Sequence, residues 1–347
     1  MIDILKEVGR GKKGARDLQY EEARYAAETI LDFEAEPAQI GAFFLAERIK
    51  TESTDEILAF TEALRDRCDP FPVKNGIDCA GPYDGRKKSF LATIPAAFIL
   101  SACGLPVTLH SCPSLPPKRG ATPSETLEAA GISARHLPRE TSIAAARESG
   151  VLFVPAERWC PPLARLRPIR EQLGLRTVIN TAEKLIRFSD AATIAVGVFH
   201  KSAFDKAMAL LERLGAERGL VVQGVDGSED VPIHRRSRVA RFQGGHWEDR
   251  VIDPGEFGLK DEVPEEDWTD ARLQAKTLHD VLEGDAPSAC RNMALLNSGL
   301  RLWAAGLTSS PQEGIIRAQE ALDQGLALER FRTFQKILLS HNRPIQS

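Results

Sequence analysis

Four short segments carry the residue types from which a reactive or binding site could be built. The first is Ala80-Gly81-Pro82-Tyr83-Asp84-Gly85-Arg86-Lys87-Lys88-Ser89, with two glycines, three consecutive cations and an apolar run behind it. Glycine lets the backbone approach a ligand closely. A Gly-rich turn feeding a helix N-terminus gathers N–H donors and a positive dipole end, and so suits anions. The same residues also read as a surface turn with a solvated basic tip. The second segment, His110 to Gly120, follows the strand candidate Pro106–His110. Ligands of open α/β sheets lie at such strand ends. There His110 either meets a ligand near neutral pH or is satisfied by backbone, and Cys112 beside it could form a nucleophile pair on paper. The third, Asp226-Gly227-Ser228-Glu229-Asp230, places three carboxylates after another strand. Carboxylates with water and phosphate oxygens suit Mg²⁺, and an acidic turn would look the same. The fourth, His234-Arg235-Arg236-Ser237-Arg238, is a basic run that could grip phosphate bidentately or face solvent.

The surrounding chain limits what these segments can serve. It has 347 residues, 27% charged and 43% hydrophobic, with net charge −4. At roughly 150 residues per domain this suggests two domains, or one large domain with an appendage. Normal apolar content excludes disorder as the main state. The most apolar stretch, Phe90 to Val107, is broken by Thr93, Pro95, Ser101 and Gly104, so no membrane span is expected. The N-terminus lacks a signal-peptide core, and a cytoplasmic location is expected. Six cysteines without C-x-x-C spacing read as free thiols.

Residues 1–70 carry ten Lys and Arg against sixteen Asp and Glu, and read as an acidic helical subdomain. Asp17 is a candidate cap for a first helix, Pro37 opens a second, and Ser53-Thr54-Asp55-Glu56 forms a capping box for a third. Asp69-Pro70-Phe71-Pro72 ends the helical region. Strands are expected at Pro106–His110, Val151–Pro155, Ala192–Phe199 and Gly219–Gln223, with a helix at Ser202–Leu214. Val239–Phe242 and Val251–Ile252 suggest an antiparallel excursion around Gly244-Gly245. The tail returns to helix at Ala294–Gly306 and Ser310–Gln324. The pattern is α/β with a helical subdomain, and the crevice between them is the default ligand site.

The order of these segments resembles the anthranilate phosphoribosyltransferases. Residues 76–133 are similar to that family's run of G-T-G-G-D, T-F-N-I-S-T-A-A-A-F, A-A-A-G-V-P-V-x-K-H-G-N and L-E-A-L-G. Pro168 to Thr177 resembles P-V-R-R-E-L-G-x-R-T. Gly197-Val198-Phe199-His200, Val221-Val222-Gln223-Gly224, Asp226 to Asp230, Asp253-Pro254 with Phe257-Gly258-Leu259, and Leu295-Leu296-Asn297 resemble later motifs in the same order. The resemblance spans about residues 20 to 335.

It implies a nucleoside phosphorylase/phosphoribosyltransferase-like architecture. A helical domain of residues 1–70 plus an inserted segment near 165–190 would pack on a mostly parallel α/β domain of 71–164 and 191–347, with homodimers through the helical domain. It implies displacement of pyrophosphate from phosphoribosyl pyrophosphate by an acceptor, with Mg²⁺ as cofactor. Glu229 and Asp230 would hold the metal. Gly81, Asp84, Gly85, Ser89 and Thr93 would shape the phosphate cradle, and His110 with Arg170, the anthranilate-contacting position, would place the acceptor.

The chain departs from that pattern at defined positions. Pro82 and Tyr83 stand in the glycine loop, Leu91-Ala92-Thr93-Ile94 replaces N-x-S-T, and Leu109-His110-Ser111-Cys112 keeps only the histidine of K-H-G-N. The metal pair is reversed, and Thr181-Ala182-Glu183-Lys184-Leu185 replaces L-G-P-L. This combination looks like the divergent TrpD-like branch of the family. That resemblance implies a second possibility, a non-catalytic protein binding single-stranded nucleic acid or a nucleotide in a basic groove. Arg86, Lys87, Lys88, Lys118, Arg119, Arg235, Arg236 and Arg238 are expected to rim one crevice.

Overall fold

A computed structural model describes residues 1–11 and 13–340. Its centre is a seven-stranded sheet in the order β3-β2-β1-β4-β5-β6-β7. The strands are β1 Ile77–Ala80, β2 Val107–Ser111, β3 Val151–Pro155, β4 Thr193–Val198, β5 Arg218–Gln223, β6 Ser237–Gln243 and β7 His246–Ile252. β1 to β5 are parallel, and β6 and β7 add an antiparallel hairpin. Helix Lys201–Arg213 joins β4 to β5, as the expected βαβ unit requires.

Alternate strand residues feed two cores. Ile77, Cys79, Val107, Leu109, Val151, Phe153, Ala195, Leu220 and Val222 pack with helices Thr93–Ala102 and Ser288–Ala304. Leu152, Val154, Ile194, Val196 and Val221 pack on the other face, with the N-terminal helices. The period of two along a strand dictates this division. It also places the polar β1 and β2 residues Asp78 and His110 on the face that meets the helical domain.

That domain contains helices Tyr20–Leu31, Pro37–Lys50 and Thr54–Arg65, joined in one core by Pro161–Leu173 and Ile179–Ala182. The Ser53 capping box forms, with Ser53 Oγ accepting from Glu56 N at 3.2 Å and Glu56 Oε2 accepting from Ser53 N at 2.7 Å. Asp17 is not a cap; Gln19 takes that position and pairs with Glu22. Asp17 instead meets the Lys50 ammonium at 2.9 Å. Helix Ile2–Val8 and strand β1 are additions to the sequence reading.

No helix of the described residues is long and apolar enough to cross a membrane.

Candidate functional site

The site lies beyond the C-terminal ends of β1, β2, β4 and β5, where the first three chemistry-bearing segments converge. The loop after β1 turns at Gly85 and is joined to the loop after β2. Arg86 and Ala121 exchange two backbone hydrogen bonds at 2.9 Å, and Gly120 N donates to Asp84 O at 3.0 Å. The two backbones approach so closely that a Cβ on Gly85 would lie 2.2 Å from Gly120 O. Gly85 also has φ +74°, so side chains are excluded there on two grounds.

The loop after β5 closes over this pair. Asp226 Oδ2 accepts from the backbone N–H of Lys87 at 2.9 Å and of Lys88 at 3.1 Å. Its carbonyl accepts from Lys118 Nζ at 2.9 Å. Lys118 Nζ also lies 3.0 Å from Asp84 Oδ1, and Arg176 donates to Asp84 Oδ2 at 3.1 Å. Two backbone N–H groups therefore hold the Asp226 carboxylate, an arrangement that suits an anion, while the Lys118 ammonium beside them is held by the Asp226 carbonyl and the Asp84 carboxylate. Asp226 holds φ +54°, a conformation uncommon for a non-glycine residue.

Gly81, Asp84, Gly85, Ser89 and Thr93 are all buried, Gly81 against Glu229 and Thr93 against Asp230. The Ser89 and Thr93 hydroxyls have no hydrogen-bond partner. Buried hydroxyls normally find one, so these two are available to a ligand or water.

Glu229 and Asp230 lie deeper. Asp230 is ion-paired with Arg86 at 2.6 Å and Arg301 at 2.7 Å, and it accepts from Thr93 N at 3.0 Å. Burial alone would raise the Asp230 carboxyl, but the two guanidiniums hold it below the usual carboxylate range. Glu229 is 3.6 Å from Arg86 and 3.8 Å from Arg301. Its carboxylate oxygens lack hydrogen-bond partners and lie 3.4 and 3.5 Å from a Cβ placed on Gly81.

His110, at the end of β2, is enclosed. Its Nδ1 is 2.6 Å from the Tyr83 hydroxyl, and its Nε2 is 3.0 Å from Asp78 Oδ1. The Phe188 ring covers it at 5.4 Å. Burial pushes the Tyr83 phenol well above its ordinary value, so it stays neutral. Arg170 is also enclosed. Glu183 accepts from both its terminal nitrogens, at 2.7 and 2.9 Å. Lys184 is buried beside this pair and donates to Gly197 O at 2.7 Å. Burial brings its ammonium down to about 8, with Arg176 adding to the effect.

The eight expected cations do not form one lip. Arg86 is an interior residue, at 0% exposure, because its charge is needed by Asp230. Arg119 pairs with Glu171 and Arg236 with Asp253, while Arg238 pairs with Asp249 and lies over the Phe204 ring. Lys87, Lys88 and Arg235 are exposed and make no ion pair among the described residues. Cys112 is buried, and burial raises its thiol well above the ordinary value, which removes the nucleophile possibility at neutral pH.

Sequence reasoning passed over Asp78, Tyr83, Arg176, Glu183, Lys184 and Arg301 as site residues. A signal existed for Glu183 and Lys184, since adjacent charges stand where the resemblant motif has Gly-Pro. Arg301 gave none, because one arginine in an apolar helix reads as an edge residue.

Comparison with known proteins agrees with this architecture. Residues 2–68 match the helical bundle domain of the glycosyl transferase family, and residues 79–328 match its a/b domain. The anthranilate phosphoribosyltransferase of Rubrobacter xylanophilus is 31% identical over 96% of this chain and 97% of its own length. The crystal structure of the Thermus thermophilus anthranilate phosphoribosyltransferase superposes with a TM-score of 0.80 at 26% identity, covering 97% of this chain and 99% of that one. The Saccharomyces cerevisiae enzyme in complex with PRPP and Mg has the same fold, at TM-score 0.80 and 18% identity, with 98% of each chain covered.

Proposed function

Because this chain belongs to the glycosyl transferase family, with that family's helical bundle and a/b domain, we propose that it binds a phosphorylated ribose and transfers the phosphoribosyl group, with loss of pyrophosphate, to an acceptor. The observation that carries this reading is the pair of backbone N–H groups, of Lys87 and Lys88, that hold the Asp226 carboxylate, with the Lys118 ammonium close by on the Asp226 carbonyl. A phosphate oxygen has the charge and the acceptor capacity of the carboxylate now held there. Ser89 and Thr93 would add hydroxyl donors, with Gly81, Asp84 and Gly85 shaping the wall.

In the transfer, the bond from ribose C1 to pyrophosphate oxygen breaks, its electron pair leaving with the pyrophosphate, the acceptor's lone pair bonds C1, and the acceptor's proton is lost to solvent. Positive charge builds on the ring as this happens. Glu229, whose oxygens face Gly81, is balanced by Arg86 and Arg301 at 3.6 and 3.8 Å, so the leaving group is where this site acts. The preformed donors orient the leaving group and offset its growing charge. His110, tied to Tyr83 and Asp78, supports the floor of the cleft as a positioning residue. Arg170 is engaged by Glu183, so the acceptor is one that does not offer a carboxylate to Arg170.

A magnesium ion held by the Glu229–Asp230 pair does not fit these residues. Two guanidiniums already neutralise the two carboxylates, and Asp230 is engaged through both oxygens.

Calorimetry with phosphoribosyl pyrophosphate tests the proposal. Binding that weakens at least about tenfold in Lys118→Met supports it, and no heat with the wild-type protein contradicts it.

A second reading, single-stranded nucleic acid bound by the same fold, is favoured by the exposed, unpaired Lys87, Lys88 and Arg235. A gel shift at two salt concentrations tests it. Lys87→Ala/Lys88→Ala should weaken binding and flatten its salt dependence. We also propose a homodimer through the helical domain, since Leu45 and Ile49 leave 43% and 55% of their surface exposed one turn apart on helix Pro37–Lys50. The six free thiols accord with a cytoplasmic location.

A further inference from the structure

We infer that anion binding by this protein needs no divalent cation, because Arg86 and Arg301 already occupy the positive positions beside Glu229 and Asp230. The inference rests on the phosphoribosyl reading of the site and specifies how that site balances charge.

Four charged side chains meet here, all between 0% and 1% exposed. Arg86 Nη2 lies 2.6 Å from Asp230 Oδ2 and 3.6 Å from Glu229 Oε1. Arg301 Nη2 lies 2.7 Å from Asp230 Oδ1 and 3.8 Å from Glu229 Oε1. The cluster sums to zero without a metal. A dication would need both acids as oxygen ligands, yet the two Asp230 oxygens are already engaged by the arginines, and it would lie within a few ångströms of both guanidiniums. Charges that close repel strongly wherever water is excluded. Among the described residues, no group of three or more His, Cys, Asp or Glu could hold a metal.

The arginines are also fixed in place. Arg86 Nη1 donates to Phe90 O at 3.0 Å, and its backbone is bridged to Ala121. Arg301 projects from helix Ser288–Ala304. Guanidinium keeps its proton at any physiological pH. Where a bound metal would be a dissociable charge, this chain has two permanent ones. The Nε atoms of both arginines, and Nη1 of Arg301, have no hydrogen-bond partner. The cluster therefore retains donor capacity after neutralising its acids.

Two measurements on the full chain test the inference. In the first, Mn²⁺ is titrated into protein stripped with EDTA, and the free ion is followed by electron paramagnetic resonance. A free-ion signal that the protein leaves unchanged supports the inference, as does a loss of signal that Glu229→Gln does not alter. A loss of signal that disappears in Glu229→Gln overturns it. In the second, phosphoribosyl pyrophosphate is titrated calorimetrically in Mg²⁺ buffer and in EDTA. Affinities within about twofold of each other support the inference, and a loss of about tenfold or more in EDTA overturns it. Absence of binding in both buffers would contradict the phosphoribosyl reading, and the Mn²⁺ titration would still decide the metal question.

Discussion

Glu183 grips Arg170 through both carboxylate oxygens, at 2.7 and 2.9 Å, in a place where neither side chain exceeds 3% exposure. A guanidinium fork meeting a carboxylate in this way is strong and directional. In the phosphoribosyl reading proposed above, the pair fills, from within the chain, the position from which Arg170 would otherwise meet an acidic acceptor. Removing Glu183 therefore does two things at once. Glu183→Ala leaves a buried cation uncompensated, which costs roughly 3–5 kcal/mol. It also opens a carboxylate-sized space in front of Arg170. A melting experiment should show a lower Tm for the variant and partial recovery with added benzoate. Wild type, and Glu183→Ala/Arg170→Met, should show no benzoate effect.

The buried Lys184 gives a pH signature. Its folded value, about 8, lies below the ordinary 10.5. Between these values the unfolded chain binds the extra proton, so this group's contribution to stability rises with pH across the window. Below pH 8 the cost of burying the ammonium is fully present, and above 10.5 it is gone. Other groups titrate in the same range, so the comparison is made against Lys184→Met. Denaturant unfolding should show wild type gaining on the variant from pH 8 to 10.5. A difference that stays constant over that range would show that the amine is not held as described.

Tyr83 supplies the hydroxyl that satisfies His110 Nδ1 at 2.6 Å. Tyr83→Phe keeps the ring and leaves that nitrogen without its partner, at a cost of roughly 1–3 kcal/mol. Thermal unfolding should report the loss. A variant as stable as wild type would indicate that the histidine has another partner.

For the proposed homodimer, Leu45→Glu and Ile49→Glu should yield monomers in light scattering without lowering Tm below that of a monomeric wild type. A wild-type protein that is monomeric at all concentrations would remove that part of the proposal.

Much of this architecture was legible because its signals are local. The Ser53 box, Pro37 at a helix start and the apolar runs of β3 and β5 each state their structure within a few residues. β1 was not legible. It is four residues long and carries Asp78 at a buried position, so neither length nor pattern marks a strand. The three loops at the site stand out by composition, and the sheet brings them together as open α/β topology predicts. Their charge balance was not legible. Arg86 reads as the first of three basic residues in a row, yet its partner Asp230 is far along the chain, and only the third dimension shows that Arg86 turns inward while Lys87 and Lys88 turn out. In the loop after β5, the resemblance points to Glu229 and Asp230 as metal ligands, and only the fold shows Arg86 and Arg301 against them and Asp226, the first acid, on the N–H groups of Lys87 and Lys88.

The most direct test is a crystal structure with phosphoribosyl pyrophosphate bound. The account predicts a phosphate group on the N–H groups of Lys87 and Lys88 and on Lys118 Nζ, with the Asp226 carboxylate displaced and no metal between Glu229 and Asp230. A ligand bound elsewhere while Asp226 keeps both N–H contacts would contradict it.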